Sequence, residues 1–222
     1  MRLRQVCFGA ILVALMPSTV RAQFRITEWM YNGKGASSAG EFVELTNFGA
    51  SPVDMTGWSF DDSSETPGSQ SLSAFGAVAS HESVILTDLL ASDFRTDWSL
   101  PTSVKVIGGN SNNLSRADEI NIYDDDNALV TQLTYDDQSI AGSPRTNNIS
   151  GNPMTLAAAL LTSADTTQWN LSANGDTYGS YTSAAGEIGN PGSFSFVPEP
   201  VSFALVILGG LGFGTQVIRR RH

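Results

Sequence analysis

An all-β protein of short strands and frequent turns is the fold this sequence predicts, on three observations. The first is Gly40-Glu41-Phe42-Val43-Glu44-Leu45-Thr46-Asn47-Phe48, followed across a Gly/Ser/Pro turn by Pro52-Val53-Asp54-Met55-Thr56-Gly57-Trp58-Ser59-Phe60. β-Branched and aromatic residues fill both halves. Alternation along the first puts Phe42, Glu44 and Thr46 on one face and Val43, Leu45 and Asn47 on the other. The second is 118–124, where Ile120 and Ile122 alternate with Asn121 and Tyr123. It joins 128–135 across Asp125-Asp126-Asn127, residues that tolerate the backbone angles of a tight hairpin. The third is composition: charged residues make up only 15% of the chain, and Ser, Thr, Gly and Asn abound, as turn-dense β proteins require.

Taken in order, the chain begins with Arg2 and Arg4, an apolar run over 6–16 too short to span a bilayer, and Val20-Arg21-Ala22. This is the layout of a secretory signal peptide over 1–22, with cleavage by signal peptidase between Ala22 and Gln23. Cys7, the sole cysteine, opens the apolar run instead of following it, which argues against a lipoprotein anchor. The mature body then has neither disulfide nor thiol chemistry, despite an exported address. A first strand is expected over 25–31, then a Gly/Ser loop leads to the 40–48 stretch. Residues 61–69 read as a polar loop, 71–75 as a short strand, and 83–87 as a strand entered through Ser80-His81-Glu82. Asp88 is a candidate N-cap for one or two helical turns. Leu90, Phe94 and Trp98 recur every four residues and would lay an apolar stripe over an open end of the fold. Residues 104–107 make a compact strand ending at Gly108-Gly109. Residues 154–164 fit helix or strand equally, their Ala/Leu content lacking a clear period.

The strand Gly40-Glu41-Phe42-Val43-Glu44-Leu45 with Asn47, and Val53-Asp54-Met55-Thr56-Gly57-Trp58 after it, resemble the signature of the lamin tail domain family. Tyr31-Asn32 resembles the step that ends that family's first strand, while Ser-His-Glu stands where the family commonly has Pro-Gly-Glu. The resemblance is most specific over 25–135. Beyond it, Trp169 and Gly189-Asn190-Pro191-Gly192 look like the family's closing strand and terminal turn. It implies an all-β, immunoglobulin-like β-sandwich over 23–196 with Trp58 in the core. Trp29, Trp98 and Trp169 read more as core than as a sugar-binding platform.

The last segment, 197–222, carries a second signal. Val197-Pro198-Glu199-Pro200 precedes eighteen uncharged residues, 201–218, and Arg219-Arg220-Arg221-His222 ends the sequence. Eighteen residues at about 1.5 Å each reach roughly 27 Å, the thickness of a bilayer core. The arginines would stay cytoplasmic, with the body outside. Pro198, Glu199 and Pro200 with the apolar helix and Arg219, Arg220 and Arg221 match the PEP-CTERM sorting signal. In that family picture the tail is handled by an exosortase-like processing enzyme of exopolysaccharide-producing Gram-negative bacteria. An ordinary single-span anchor is the alternative.

Charge and side-chain chemistry narrow the function. Between Gln23 and Val197 there are six Lys/Arg against twenty-one Asp/Glu, a net charge of −15 that repels phosphate backbones and argues against nucleic-acid binding. His81 is the body's sole histidine, so a zinc site of several imidazoles is excluded, and no nucleophile elbow stands near it. A turn explains His81 without catalysis. Asp124 and Asp126, with Asp136 and Asp137 at the far end of the next strand, supply oxygen atoms suited to calcium, although they lack the glycine and terminal Glu of an EF-hand loop. Asp61, Asp62 and Glu65 form a similar polar loop. No catalytic residue and no cofactor is expected. The expectation is an exported, membrane-anchored precursor delivered to the cell surface or extracellular matrix. There it is a structural or adhesive module of an envelope or biofilm, meeting polysaccharide or other envelope proteins. The alternative is a calcium-dependent carbohydrate-binding protein or an accessory domain of a secreted hydrolase.

Overall fold

A computed structural model describes residues 24–34, 40–161 and 163–195. The signal peptide expected over 1–22 and the sorting signal expected over 197–222, with its helix at 201–218, lie outside the described residues. Among those described, no helix is long and apolar enough to cross a membrane.

The described residues form two main sheets. Strands β1 (Phe24–Met30), β2 (Phe42–Asn47), β7 (Ser83–Thr87), β8 (Lys105–Ile107), β11 (Gly151–Pro153) and β13 (Trp169–Leu171) make one, in the order β13-β11-β1-β2-β7-β8. Strands β4 (Ser59–Asp61), β5 (Gln70–Ser71), β9 (Ala117–Tyr123), β10 (Leu129–Asp136) and β12 (Ser163–Asp165) make the other, in the order β12-β10-β9-β4-β5. Pairing is antiparallel except β7 with β8 and β10 with β12. Two-residue ribbons join β3 (Val53–Asp54) to β6 (Ala77–Val78), and β14 (Tyr181–Thr182) to β15 (Ile188–Gly189).

The alternation expected in β2 is present, and both of its faces are covered. Val43 and Leu45 point into the space between the sheets, where Phe24, Ile26, Trp29, Trp58, Phe60, Val84, Leu86, Ile120, Ile122, Leu133 and Trp169 meet them. Trp58 stands edge-on to Phe24, ring centroids 5.3 Å apart. Phe42 faces outward and joins Met30, Ile85, Phe94 and Trp98 in a second apolar cluster. Asn47, at the rim, donates its side-chain amide to the carbonyls of Ser51, Val78 and Ala79, tying the β2 exit to the β3–β6 ribbon.

Four local expectations are corrected. Helix α1 (Ala91–Asp97) starts from Leu90 with no side-chain cap, because Asp88 is used elsewhere: its Oδ1 accepts the Gly40 N–H at 2.8 Å. Phe94 and Trp98 do form an apolar stripe, but it covers the outer face of the six-stranded sheet and not an open end. Leu90 lies in extended backbone before the helix and is 65% exposed, outside that stripe. Only Gln70–Ser71 is strand where 71–75 was expected; Ser73–Phe75 closes into a 3-10 turn ended by Gly76 at φ +59°. Residues 154–164 divide between the two open readings, a helical turn α2 (Leu156–Ala159) followed by the start of β12. His81 sits in the turn assigned to it, exposed, at φ +61°, its N–H donating to the Asn47 carbonyl.

Candidate functional site

The outer face of the six-stranded sheet is half apolar and half polar. The apolar half lies under α1. The polar half is made by a register break in β1. Ile26 pairs with Leu45 and Glu28 with Glu44, so Thr27 is the extra residue of a bulge. A bulge re-aims side chains. Here Ile26 and Trp29 both stay in the core, while Thr27 and Glu28 join Glu44 in one polar cluster. Thr27 Oγ1 donates to Glu44 Oε1 at 2.6 Å, and a hydroxyl chain runs from Thr27 through Thr46 to Ser83, each step 2.8 Å.

A strap of chain, Asn190 to Phe194, crosses this polar patch. The Asn190 N–H donates to Glu28 Oε1 on β1 at 2.8 Å, the Gly192 N–H to Glu44 Oε2 on β2 at 2.7 Å, and the Phe194 N–H to Ser83 Oγ on β7 at 3.2 Å. Alternate residues of the strap thus bind three successive strands. Pro191, which has no N–H, falls at a position where none is needed. Gly192 adopts φ +98°, a conformation that suits glycine. The near end is fixed by Asn190, whose Oδ1 accepts from Asn152 and Ser180. The far end is gripped by Phe194 between Phe48 and Tyr178, both ring pairs 5.4 Å apart. Below Glu28, Ser150 donates to its Oε1 and meets Ser172, while Asn152 also donates to Ser172.

Burial sets the electrostatics. Glu28 and Glu44 are both fully buried. Loss of hydration pushes Glu28 well above the usual carboxylate range, and the neighbouring Glu44 adds to the rise. Burial raises Glu44 to about 7 against the hydrogen bonds from Thr27 and Gly192. Glu41, next to β2, is raised to about 8, chiefly by burial and then by Asp88, although it accepts the Leu114 N–H at 2.8 Å. Pairs of carboxyls with raised pKa are a familiar mark of acid–base sites. Here the N–H groups of Asn190 and Gly192 lie on the two carboxyls. Two carboxyls and a hydroxyl thus fasten Asn190, Gly192 and Phe194 to three central strands.

The four carboxylates considered for calcium do not converge. Asp124 and Asp126 lie in the β9–β10 turn, and Asp136 and Asp137 lie at the other end of β10. Eight residues of strand put about 25 Å between the two pairs. Asp124 Oδ1 is engaged by the N–H groups of Asp126 and Ala128, with Asn127 at φ +61° closing the hairpin. Asp137 forms a two-pronged ion pair with Arg116, at 2.6 and 2.5 Å. Among the described residues no three His, Cys, Asp or Glu are grouped to hold a metal ion. Asp61 is likewise turned inward on its loop, its Oδ2 accepting from Ser64 and Thr66. The Trp29, Trp98 and Trp169 side chains are buried, so none offers an open face to a sugar ring. Ala22, Gln23, Pro198, Glu199, Pro200, Arg219, Arg220 and Arg221 lie outside the described residues.

Sequence reasoning missed Glu28 and Glu44 as a pair. The only signal was a glutamate in each of two strands otherwise fit for burial; the bulge that brings them together leaves no mark in the residue pattern.

The lamin tail domain family model matches residues 17–137, a span that reaches the end of β10. No curated protein and no solved structure matches the chain. Ser150, Asn152, Ser172 and the strap all follow the matched region.

Proposed function

Since the chain belongs to the lamin tail domain family, we propose that it is a non-enzymatic structural or adhesive β-sandwich of a bacterial envelope or exopolysaccharide matrix, sorted to the surface by its own C-terminal signal. The observation that carries this reading is the strap. It ends at Phe194, three residues before Val197, where the Pro198-Glu199-Pro200 motif and the apolar stretch begin. A pull on such a tail is passed through Asn190, Gly192 and Phe194 to β1, β2 and β7 in the middle of the sheet. A module that holds a cell or a matrix under tension needs its attachment point fastened in this way. The signal peptide reading over 1–22 and the basic end at Arg219–Arg221 agree on an extracytoplasmic body. In this reading Pro198, Glu199 and Pro200 are the residues an exosortase-like enzyme recognises.

The test is the fate of the tail. Replacing Pro198, Glu199 and Pro200 by Ala leaves insertion intact, since the motif lies outside the apolar stretch, but blocks release of the body from its helix. The measurement is the size and membrane fractionation of the N-terminally detected protein in the native host. A parent that keeps its Arg219–Arg221 end and behaves like the variant would reduce the segment to a plain anchor.

A further inference from the structure

We propose that the free edge of β8 is a docking site for an extended acidic peptide segment of a partner protein, independently of how the chain is sorted. Strand β8 is the last in its sheet; β7 pairs with it on one side, and among the described residues no strand pairs with it on the other. An edge strand presents backbone N–H and C=O groups to which another extended chain can add. Beside this edge lies a cavity of about 410 Å³, within the range of ligand-binding clefts. Its walls include Phe75, Val104, Val106 and Ile107, and both charged residues that line it, Arg95 and Lys105, are cations.

Two cations without a carboxylate in the lining are out of character for a body of net charge −15. Arg95 forms no ion pair among the described residues. Its Nη1 and Nη2 donate to the carbonyls of Ala91 and Val104, at 3.2 and 3.0 Å, and its Nε is buried with no partner. Lys105 donates to the Ala77 carbonyl and meets Glu82 at 3.2 Å, a pair whose side chains are 32% and 26% exposed and which another carboxylate can displace. An extended peptide lying along β8 directs every second side chain to one face. Lys105 and Val106 face opposite ways on β8, so a Glu on one side of the peptide meets Lys105 while the apolar residue next to it, on the α1 side, meets Val104 or Val106 beside Arg95. Sugars are served worse by the same surface. They need an open aromatic face, and the cavity's one aromatic, Phe75, is 4% exposed.

The full-length chain in mild detergent is titrated with fluorescent peptides of alternating Glu and Val, and with the Lys/Val counterpart. The expected result is affinity at least about tenfold higher for the acidic peptide, weakened by salt, as complementary charge requires. Hydrogen exchange at 105–107 should slow on binding, since an added strand protects edge amides. Arg95→Gln and Lys105→Gln should each weaken binding. Because Arg95 also bonds to Ala91 and Val104, the decisive variant is Lys105→Gln, read beside the charge-swapped peptide on unaltered protein. Equal binding of the two peptides, or binding untouched by Lys105→Gln, overturns the proposal. So does tight binding of oligogalacturonate with no change in exchange at 105–107, which would make the cavity a site for acidic polysaccharide.

Discussion

Trp58 and His81 show how differently two residues of the family-like region are used. Trp58 is buried between the sheets against Phe24. Truncating it removes a large apolar surface and leaves a void in a close-packed interior, so Trp58→Ala should destabilise by about 3–5 kcal/mol. His81 is exposed, and its place in the turn depends on backbone geometry alone: φ is +61° and the bond to Asn47 is made by its N–H. His81→Gly should therefore change stability by less than about 1 kcal/mol, glycine being at ease there. Urea midpoints of the two variants check both. A His81→Gly variant as damaged as Trp58→Ala would mean that the imidazole does something its surroundings do not reveal. Trp58 could be read from sequence because the resemblance places it in the family's core strand, and a Trp seldom finds a place outside a core. Glu28 could not. Its burial depends on a one-residue bulge and on chain some 160 residues away, and neither leaves a local pattern.

Among elements, the same contrast separates strands from what covers them. Strands β1, β2, β7, β9 and β10 were legible within a residue or two, because alternation of apolar and polar side chains is dictated by the strand itself. Helix α1 was legible in its stripe of Phe94 and Trp98 but not in its start, since Asp88 is diverted to Gly40 by a contact across 48 residues. The strap was legible only as a family-like turn at Gly189-Asn190-Pro191-Gly192. Its grip lies in backbone N–H groups, which every residue but proline possesses and no sequence advertises. Its weak point is Gly189. A Cβ there would stand 2.6 Å from Glu28 Oε1, 2.8 Å from Ser150 Oγ and 3.1 Å from the Trp98 ring. Gly189→Ala should lift the strap at a cost of about 1–3 kcal/mol, as overpacking does. Amide exchange should then quicken at Asn190, Gly192 and Phe194 while β9 and β10 keep their protection. Uniform acceleration across both sheets would show that strap and sandwich open as one unit.

At the scale of the molecule, the buried carboxyls govern how stability follows pH. Glu28, Glu41, Glu44, Asp88 and Glu187 are all raised, each chiefly by burial. A raised carboxyl keeps its proton in the folded state where the unfolded chain has released it. Its contribution is therefore complete below the ordinary value of 4.5 for Glu and is lost as pH climbs through the folded values, about 7 for Glu44 and about 8 for Glu41. Asp61, Asp136, Asp137 and Asp176 are held low by hydrogen bonds or, for Asp137, by Arg116. Their contribution has the opposite sense, present above the ordinary 3.8 and lost as pH falls. The two sets cross in mildly acidic solution, so stability should peak near about pH 5 and decline toward pH 8. Each proton released on unfolding steepens that decline by about 1.4 kcal/mol per pH unit. The strap bears on it directly, because ionising both Glu28 and Glu44 would set two charges side by side beneath a backbone, with no cation among the described residues to answer them. Glu44→Gln removes one titrating group and keeps an acceptor oxygen, at the expense of one hydrogen bond. Near pH 5 it should be no more stable than the parent, yet it should gain on the parent as the pH climbs through about 7 and hold that gain to pH 8. Urea unfolding of both proteins at intervals across that range is the measurement. A parent whose stability climbs all the way to pH 8, or a Glu44→Gln variant that tracks it in parallel, would mean that Glu44 is ionised in the folded protein and the strap rests on a charged latch instead of a protonated one.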